Sequence, residues 1–538
     1  MSQTTADDQP RGLMDEDGRP KSKVSLDGEP QAGGGVQWST VGRVGPAMAV
    51  IAAALVAVFT VPGLEAYRPW QEGDPLPFWN VVQRPFASAE NQAHQTHVAA
   101  VESVADEVLA ARDPAPPVAA APTPAVVPET GTKLPAFVPE AEDEADVVEP
   151  LELFKGDELD RFFESLARTD ASLEGAVTRI SHWGDSAIGI DGIPGAIRRR
   201  MQNRFGDAGH GFHLMAPPNT SYRHREVDFA HNDAWSKCFI IQKCRSDGHY
   251  GLGGTTFRSG GGAQSSFAPH SERSSGKVSK IDIYYAAQPK GGRLSLRVDG
   301  GEKTFLETEA PALEDRFHSI KLPDGPHELK IRAGGGGRVR IYGVTMERDG
   351  PGIVWDGLAL VGAFTKRMSE FDPDHLKRQL AHRKTDLAVF MFGGNDMVRK
   401  IKMSTYAEEY TDVIQKFRTA RPEMDCLIMS PLDHGERKGQ RIISRPVVPK
   451  MVNAMRDVAK AEGCAFFDTF QAMGGEGSAG RWFRRKPRLT SGDLGHATSK
   501  GHQVIGELFF RALVSQYVTF RKARDAAGGI PAIANEAP

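Results

Sequence analysis

Cysteine is scarce in this chain, charge is nearly balanced, and the cysteines lack the spacing of zinc ligands. Four cysteines in 538 residues are too few for a disulfide framework and show no C-x-x-C pairs of the kind a zinc site uses. Cys238 and Cys244 are close enough in sequence to pair if the domain is exported. Cys426 and Cys464 lie in apolar runs and read as buried thiols. A formal net charge of −3 offers no bulk attraction to nucleic acid, so a nucleic-acid partner is not expected. Long apolar runs are rare as well: only Val44 to Val61 approaches, without a charge, the ~20 residues of a membrane helix. The length excludes a single core and allows two or three.

Residues 1–42 are polar, Gly/Pro/Asp-rich and aperiodic, which reads as a disordered tail. Arg11, Arg19, Lys21, Lys23 and Arg43 precede the apolar run, and only Arg68 lies close beyond it. The positive-inside rule then keeps the tail in the cytoplasm and sends the bulk of the chain outward from a signal anchor at 43–62. A cleaved signal peptide is the alternative, although its charged region is unusually long and no small-x-small site follows. Residues 63–150 read as a helical stalk at 86–112, then a Pro/Ala spacer ending in an acidic run from Glu140 to Glu149, a tether and not a core.

The folded region is expected over 151–524, with a disordered tail at 525–538. Leu159, Phe162, Phe163 and Leu166 stand at helical spacing. A strand follows at 177–184, with a helix from Ile193 to Phe205. Apolar strands at 387–392, 426–429 and 465–467 alternate with helices at 404–418 and 447–460, the pattern of a parallel sheet covered on both faces. Between 275 and 347 the period changes to two. Ile281, Ile283 and Tyr285, then Leu294, Leu296 and Val298, then Leu329 and Ile331, alternate with polar residues between Gly- and Pro-rich turns. That predicts an inserted β-sandwich, either a packing appendage or a carbohydrate-binding module.

Chemistry-bearing residues gather where this scheme ends its strands. Gly184-Asp185-Ser186 follows the first strand, Gly393-Gly394-Asn395-Asp396 follows the strand at 387, and Asp493-Leu494-Gly495-His496 precedes the last helix. A serine hydroxyl needs a base, for which His496 is the candidate, and Asp493 can hold its tautomer. A tetrahedral oxyanion needs fixed donors: the Ser186 and Gly362 N–H groups and the Asn395 amide are the candidates. Gly251, Gly253 and Gly254 compete with Gly362. His434 is a candidate cleft residue. His502 reads as a capping or surface residue and His210 as structural. Arg484, Arg485, Lys486 and Arg488 form a solvated basic loop or an anionic-substrate contact.

In these blocks the chain resembles the SGNH (GDSL-type) hydrolase superfamily, over about 151–520. The resemblance implies a three-layer α/β/α flavodoxin-like domain, a catalytic set of Ser186, Asp493 and His496, and no metal or organic cofactor. It also implies that the functional glycine, Gly362, follows the insertion. The inserted sandwich and the anchor look most like the cell-wall O-acetyl esterases and acetyltransferases. The implied substrate is an O-acetylated polysaccharide, peptidoglycan first, and the implied location is a bacterial inner membrane with the catalytic domain outside. Ala187-Ile188-Gly189 departs from the polar residues that often follow Gly-Asp-Ser in those relatives. Two rivals stay open: an O-acetyltransferase using the same acyl-serine, and a non-catalytic scaffold that binds glycan through the insert.

Overall fold

The structure, a computed structural model, describes residues 89–111, 127 and 131–533, with scattered helical positions between 46 and 60. The chain divides into two units, Met1–Ser88 and Ala89–Pro538, and everything below concerns the second. The expected tail at 1–42 lies outside the described residues. So does the expected anchor at 43–62, apart from isolated positions such as the exposed Val50 and Val56. Among the described residues no helix is long and apolar enough to cross a membrane.

The second unit runs α1 (Ala89–Ala110), α2 (Asp160–Asp170), β1 (Val177–Gly184) and α3 (Ile193–Phe205). Short strands follow: β2 (Gly209–Leu214), β3 (Val227–His231), β4 (Ser236–Phe239), β5 (Thr255–Ser259), β6 (Gln264–Pro269) and β7 (Val278–Ala287). They continue as β8 (Arg293–Val298), β9 (Thr304–Glu307), β10 (Glu314–Gly325), β11 (Leu329–Ala333) and β12 (Val339–Glu347). The chain then returns to strand–helix alternation: β13 (Gly352–Ala359), α4 (Pro373–Arg383), β14 (Leu387–Met391), α5 (Met403–Ala420) and β15 (Asp425–Met429). A hairpin of β16 (Gly435–Lys438) and β17 (Arg441–Ser444) leads to α6 (Val447–Glu462) and β18 (Ala465–Phe467). Two short helices, α7 (Thr469–Ala472) and α8 (Ser478–Arg484), precede the long α9 (Ser499–Ala526).

Five of these strands make one parallel sheet in the order β13-β1-β14-β15-β18. Counted along the chain that is 2-1-3-4-5, the flavodoxin-like order, whose switch point lies between β1 and β14. Both faces are covered, which explains the uninterrupted apolar strands. Ile180, Val389, Leu427 and Phe467 face one layer with Phe163 of α2, Ile197 of α3 and Phe509 of α9. Trp183, Phe390, Ile428 and Phe466 face the other with Leu380 of α4, Phe417 of α5 and Met455 of α6.

The insert is a sandwich of two antiparallel sheets. One has the order β10-β7-β12-β5-β4 with β2 also paired to β12, and the other is β3-β6-β11-β8-β9. It therefore begins at Gly209, well before the 275 expected from sequence. The early strands hide because they bury polar residues: His210, His213, Thr255 and Thr256 are all buried, so β2 and β5 show no apolar alternation. Sandwich and sheet are riveted by charge. Arg383 of α4 donates to Asp356 of β13 at 2.7 and 2.9 Å and also pairs with Glu347 of β12, which Arg179 of β1 contacts at 2.8 Å.

Four expectations are corrected. The tether expected to run to 150 is seated on the domain from 131: Leu134 N–H donates to Ile530 O at 2.8 Å, and Asp143, buried, accepts from Arg204 of α3 at 2.7 and 2.8 Å. The same pairing orders 525–533, expected as a loose tail, with Ile530 and Ala532 buried; residues 534–538 lie outside the described ones. The expected stalk is the helix α1, and its stripe of Val101, Val104 and Ala105 is buried in the α9 layer while Glu107 accepts from Arg511 at 2.6 Å. Finally, Cys426 and Cys464 are not free thiols. Leu427 pairs with Ala465 across β15 and β18, so the cysteines one residue earlier stand 4.8 Å apart by Cα and form a disulfide. Cys238 and Cys244 form the second.

Candidate active site

Ser186 is placed by a turn that only glycine permits. At Gly184, the last residue of β1, an added Cβ would lie 2.6 Å from Met391 O and 2.9 Å from Ile188 Cγ1. The chain then bends into a short 3-10 turn, Ser186–Asp191, capped by Asp185, whose carboxylate accepts Ala187 N–H at 2.9 Å. Ile190 and Asp191 close the turn at φ +54° and +51°, a left-handed conformation that costs energy in non-glycine residues and needs outside support. That support is a buried ion pair: Asp191 accepts from Arg198 of α3 at 3.0 and 2.9 Å, and from Arg225 N–H at 3.1 Å.

The three residues expected to act together stand together. Ser186 Oγ lies 2.8 Å from His496 Nε2, and His496 Nδ1 lies 2.6 Å from Asp493 Oδ2. The second oxygen of Asp493 shapes the loop, accepting from Gly495 N–H at 3.0 Å, His496 N–H at 3.1 Å and Ser491 Oγ at 2.7 Å. Partial desolvation pushes the half-exposed Asp493 carboxyl up, but these donors and the imidazole outweigh it and hold the group well below the usual carboxylate range. With Asp493 ionised, Nδ1 carries the proton and Nε2 presents its lone pair to the serine.

Gly362 and Asn395 flank the serine from the neighbouring strands. Leu360 N–H donates to Gly184 O at 2.8 Å, which ties the loop after β13 to the end of β1. Gly362 in that loop is exposed, has φ +87° and has nothing nearer its Cβ position than Ile241 Cδ1 at 3.8 Å. Asn395 Nδ2 donates to Ala363 O at 3.2 Å, joining the loop after β14 to the same loop. The rival glycines are spent: Gly251 N–H donates to His375 Nε2 at 2.8 Å, Gly254 N–H to Gly251 O at 3.1 Å, and 250–254 is buried.

Two aspartates that sequence reasoning assigned no role hold this frame. Asp396 accepts from Thr365 N–H at 2.9 Å, Thr365 Oγ1 at 3.0 Å and Arg399 Nη1 at 3.1 Å, fastening the Gly362 loop to β14. Asp185 is fully enclosed, and burial raises its carboxyl to about 6 against the pull of Ala187 N–H. The only signal in sequence was their place beside Ser186 and Asn395.

The remaining candidates separate clearly. His434 does stand at the cleft: Cβ positions on Gly394 and Gly495 would lie 3.4 Å from its Nε2 and 2.8 Å from its Nδ1, so its ring is held between the two loops. Burial first, then His496 and Arg445, lower it to about 4, so it is neutral at pH 7. His502 is not a surface residue; it is buried against Gly192 and backs the turn after Ser186. His210 is structural, with Nε2 3.2 Å from Lys277 O. Arg484, Lys486 and Arg488 are exposed, whereas Arg485 pairs with Glu102 and Asp106 and so docks α1.

Residues 334–504 match the model of the GDSL-like lipase/acylhydrolase family. The match holds Gly362, Asn395, Asp493 and His496, while Ser186 lies upstream of it, separated by the insert. Fold and match define the class: the chain carries a GDSL-like acylhydrolase domain and is an SGNH-type serine esterase. In structure it is similar to a peptidoglycan O-acetylesterase, at 20% identity and a TM-score of 0.59, over 69% of this chain and 99% of that one. That likeness is one of fold. A family two carbohydrate esterase from Cellvibrio japonicus (11% identity, 55% of this chain and 98% of that one, TM-score 0.21) also aligns. So does an acetylxylan esterase from Geobacillus stearothermophilus (17%, 30% and 72%, TM-score 0.23). At those scores neither carries an argument. No curated protein matches in sequence.

Proposed function

We propose that this esterase removes acetyl groups from an O-acetylated cell-envelope polysaccharide, with peptidoglycan the first candidate. Ser186 Oγ attacks the acetyl carbonyl while its proton passes to His496 Nε2. The tetrahedral oxyanion is held by the Ser186 and Gly362 N–H groups and the Asn395 amide, each such donor being worth about 3–4 kcal/mol. Collapse breaks the ester bond, and the sugar oxygen leaves with the proton from His496. Water, deprotonated by His496, then attacks the acetyl-serine and releases acetate. Asp493 holds the tautomer and stabilises the imidazolium throughout.

The observation that carries this reading is the Ser186–His496–Asp493 relay at the sheet's switch point. Two disulfides support an oxidising location, in keeping with an anchor at 43–62 and a catalytic unit outside the cytoplasm. The test is acetate release by the full chain from p-nitrophenyl acetate and from O-acetylated peptidoglycan, beside Ser186→Ala. Release from both, abolished in the variant, is expected. A folded protein inert on peptidoglycan but active on the small ester would refute the substrate, and transfer to an added glycan exceeding hydrolysis would make it an acetyltransferase.

A further inference from the structure

Arg225 lies in the insert's first long loop, yet its guanidinium reaches the two catalytic loops. Its Nε donates to Ile190 O at 3.3 Å, on the turn that begins with Ser186, and its Nη2 reaches Ser499 Oγ at 3.5 Å, just past His496. One side chain thus spans the loops that carry the nucleophile and the base.

It does so without a carboxylate partner among the described residues. The nearby acids are already committed. Both oxygens of Asp191 accept from Arg198, and Glu226 is 3.3 Å from Arg198 Nη1 and 3.5 Å from His210 Nδ1. The Arg225 backbone N–H donates to Asp191 Oδ2 at 3.1 Å, and the cations that act on its guanidinium are Arg199, Arg273 and Arg198. Burial first, then these cations against the opposing pull of Asp191, hold its guanidinium below the usual range. Arg199 and Arg273 have no ion-pair partner among the described residues either, and Arg199 Nε is buried with no hydrogen-bond partner. The amino end of α9 adds positive potential at the same place. A guanidinium without a carboxylate partner has donors to offer an anion, and a planar fork of donors fits a carboxylate best.

We infer that Arg225 is a carboxylate-binding subsite on the turn that begins with Ser186, so that the preferred substrate is an acetylated sugar that itself bears a carboxylate. This rests on the esterase reading above. A neutral acetylated glycan would leave the Arg225 guanidinium without a carboxylate, whereas a sugar carboxylate within reach of both loops would hold the ester over Ser186.

The probes are O-acetylated N-acetylmuramic acid with its lactyl carboxylate free, and the same sugar with that carboxylate amidated. The full chain should favour the acid by about tenfold in kcat/KM, the lower range for a hydrogen bond to a charged group. In Arg225→Ala that ratio should fall to about one, and Arg225→Lys, which keeps the charge and loses the fork, should lie between. A ratio near one for the unsubstituted protein, or one unchanged in Arg225→Ala, overturns the inference, as does an equal loss on both sugars, which marks a structural role. Binding is read separately by calorimetry on Ser186→Ala, with and without Arg225→Ala. If the unsubstituted chain hydrolyses neither sugar, the esterase reading fails for these substrates. The preference of Ser186→Ala for the acid, or its absence, still decides the subsite.

Discussion

Replacing Asp493 with asparagine changes one atom of the relay at constant volume, and the surrounding bonds say what must follow. Oδ1 accepts three donors, at 3.0, 3.1 and 2.7 Å, while Oδ2 accepts the His496 Nδ1 proton at 2.6 Å. An asparagine cannot do both. If its oxygen keeps the loop donors, its NH2 faces Nδ1, which must become an acceptor. The imidazole proton then sits on Nε2, 2.8 Å from a serine hydroxyl that has lost its base. If the amide flips, its NH2 confronts the Gly495 and His496 N–H groups and the loop loosens. Where the corresponding aspartate is buried, this exchange costs about 10⁴ in kcat. Here the Asp493 side chain is 55% exposed, so solvent screens its charge and water can replace it as an acceptor. We therefore expect a loss of about 10²–10³, or about 3–4 kcal/mol in barrier. The assay is kcat/KM for p-nitrophenyl acetate at pH 7, with thermal unfolding by circular dichroism as a control for fold. A folded variant within about fivefold of the unsubstituted enzyme would refute the assignment of Asp493 as the residue that orients His496.

Three further outcomes follow from the same geometry. Asn395→Ala removes a candidate oxyanion donor and leaves Ala363 O without its partner; kcat should fall about 10²–10³-fold with little change in KM, and a change confined to KM would argue against that role. Asp185 has a carboxyl raised to about 6 in the fold from 3.8. Between those values the folded protein keeps a proton that the unfolded chain has released, so stability declines as pH rises from about 4 to 6, by about 3 kcal/mol in all. Asp185→Asn should flatten that part of the urea-midpoint profile, and an unaltered slope would contradict it. The Cys426–Cys464 disulfide closes a separation of 38 residues, so replacing both with serine should cost about 3–4 kcal/mol of unfolding free energy by loop-closure entropy. Denaturation with and without reductant checks this, a loss under 1 kcal/mol being the contrary result.

Much of the site was legible because its chemistry is written locally. Ser186, Asn395, Asp493 and His496 each sit in a short motif at the end of a strand or the start of a helix, and those elements announce themselves by an unbroken apolar run or a 3.6-residue period. The sandwich was only half legible. Its later strands alternate as expected, but β2 and β5 bury histidine and threonine, and polar residues satisfied inside a fold look like surface ones in a string of letters. The helix α1 misled for the opposite reason: a stripe of valine and alanine is too weakly apolar to signal docking until α9 is set beside it.

By itself the sequence determined the strand–helix alternation, the inserted β-rich region and the small set of residues able to do acyl chemistry, because periodicity and motif spacing depend only on near neighbours. Only the tertiary structure decided which distant residues meet. Ser186 and His496 are 310 positions apart, and Cys426 and Cys464 pair only because β15 and β18 are adjacent. The switch point between β1 and β14, and Arg225 crossing from the insert to the catalytic loops, depend likewise on strand order and on which faces are buried against each other. Those are set by the balance of packing over the whole core, which no local stretch of sequence contains.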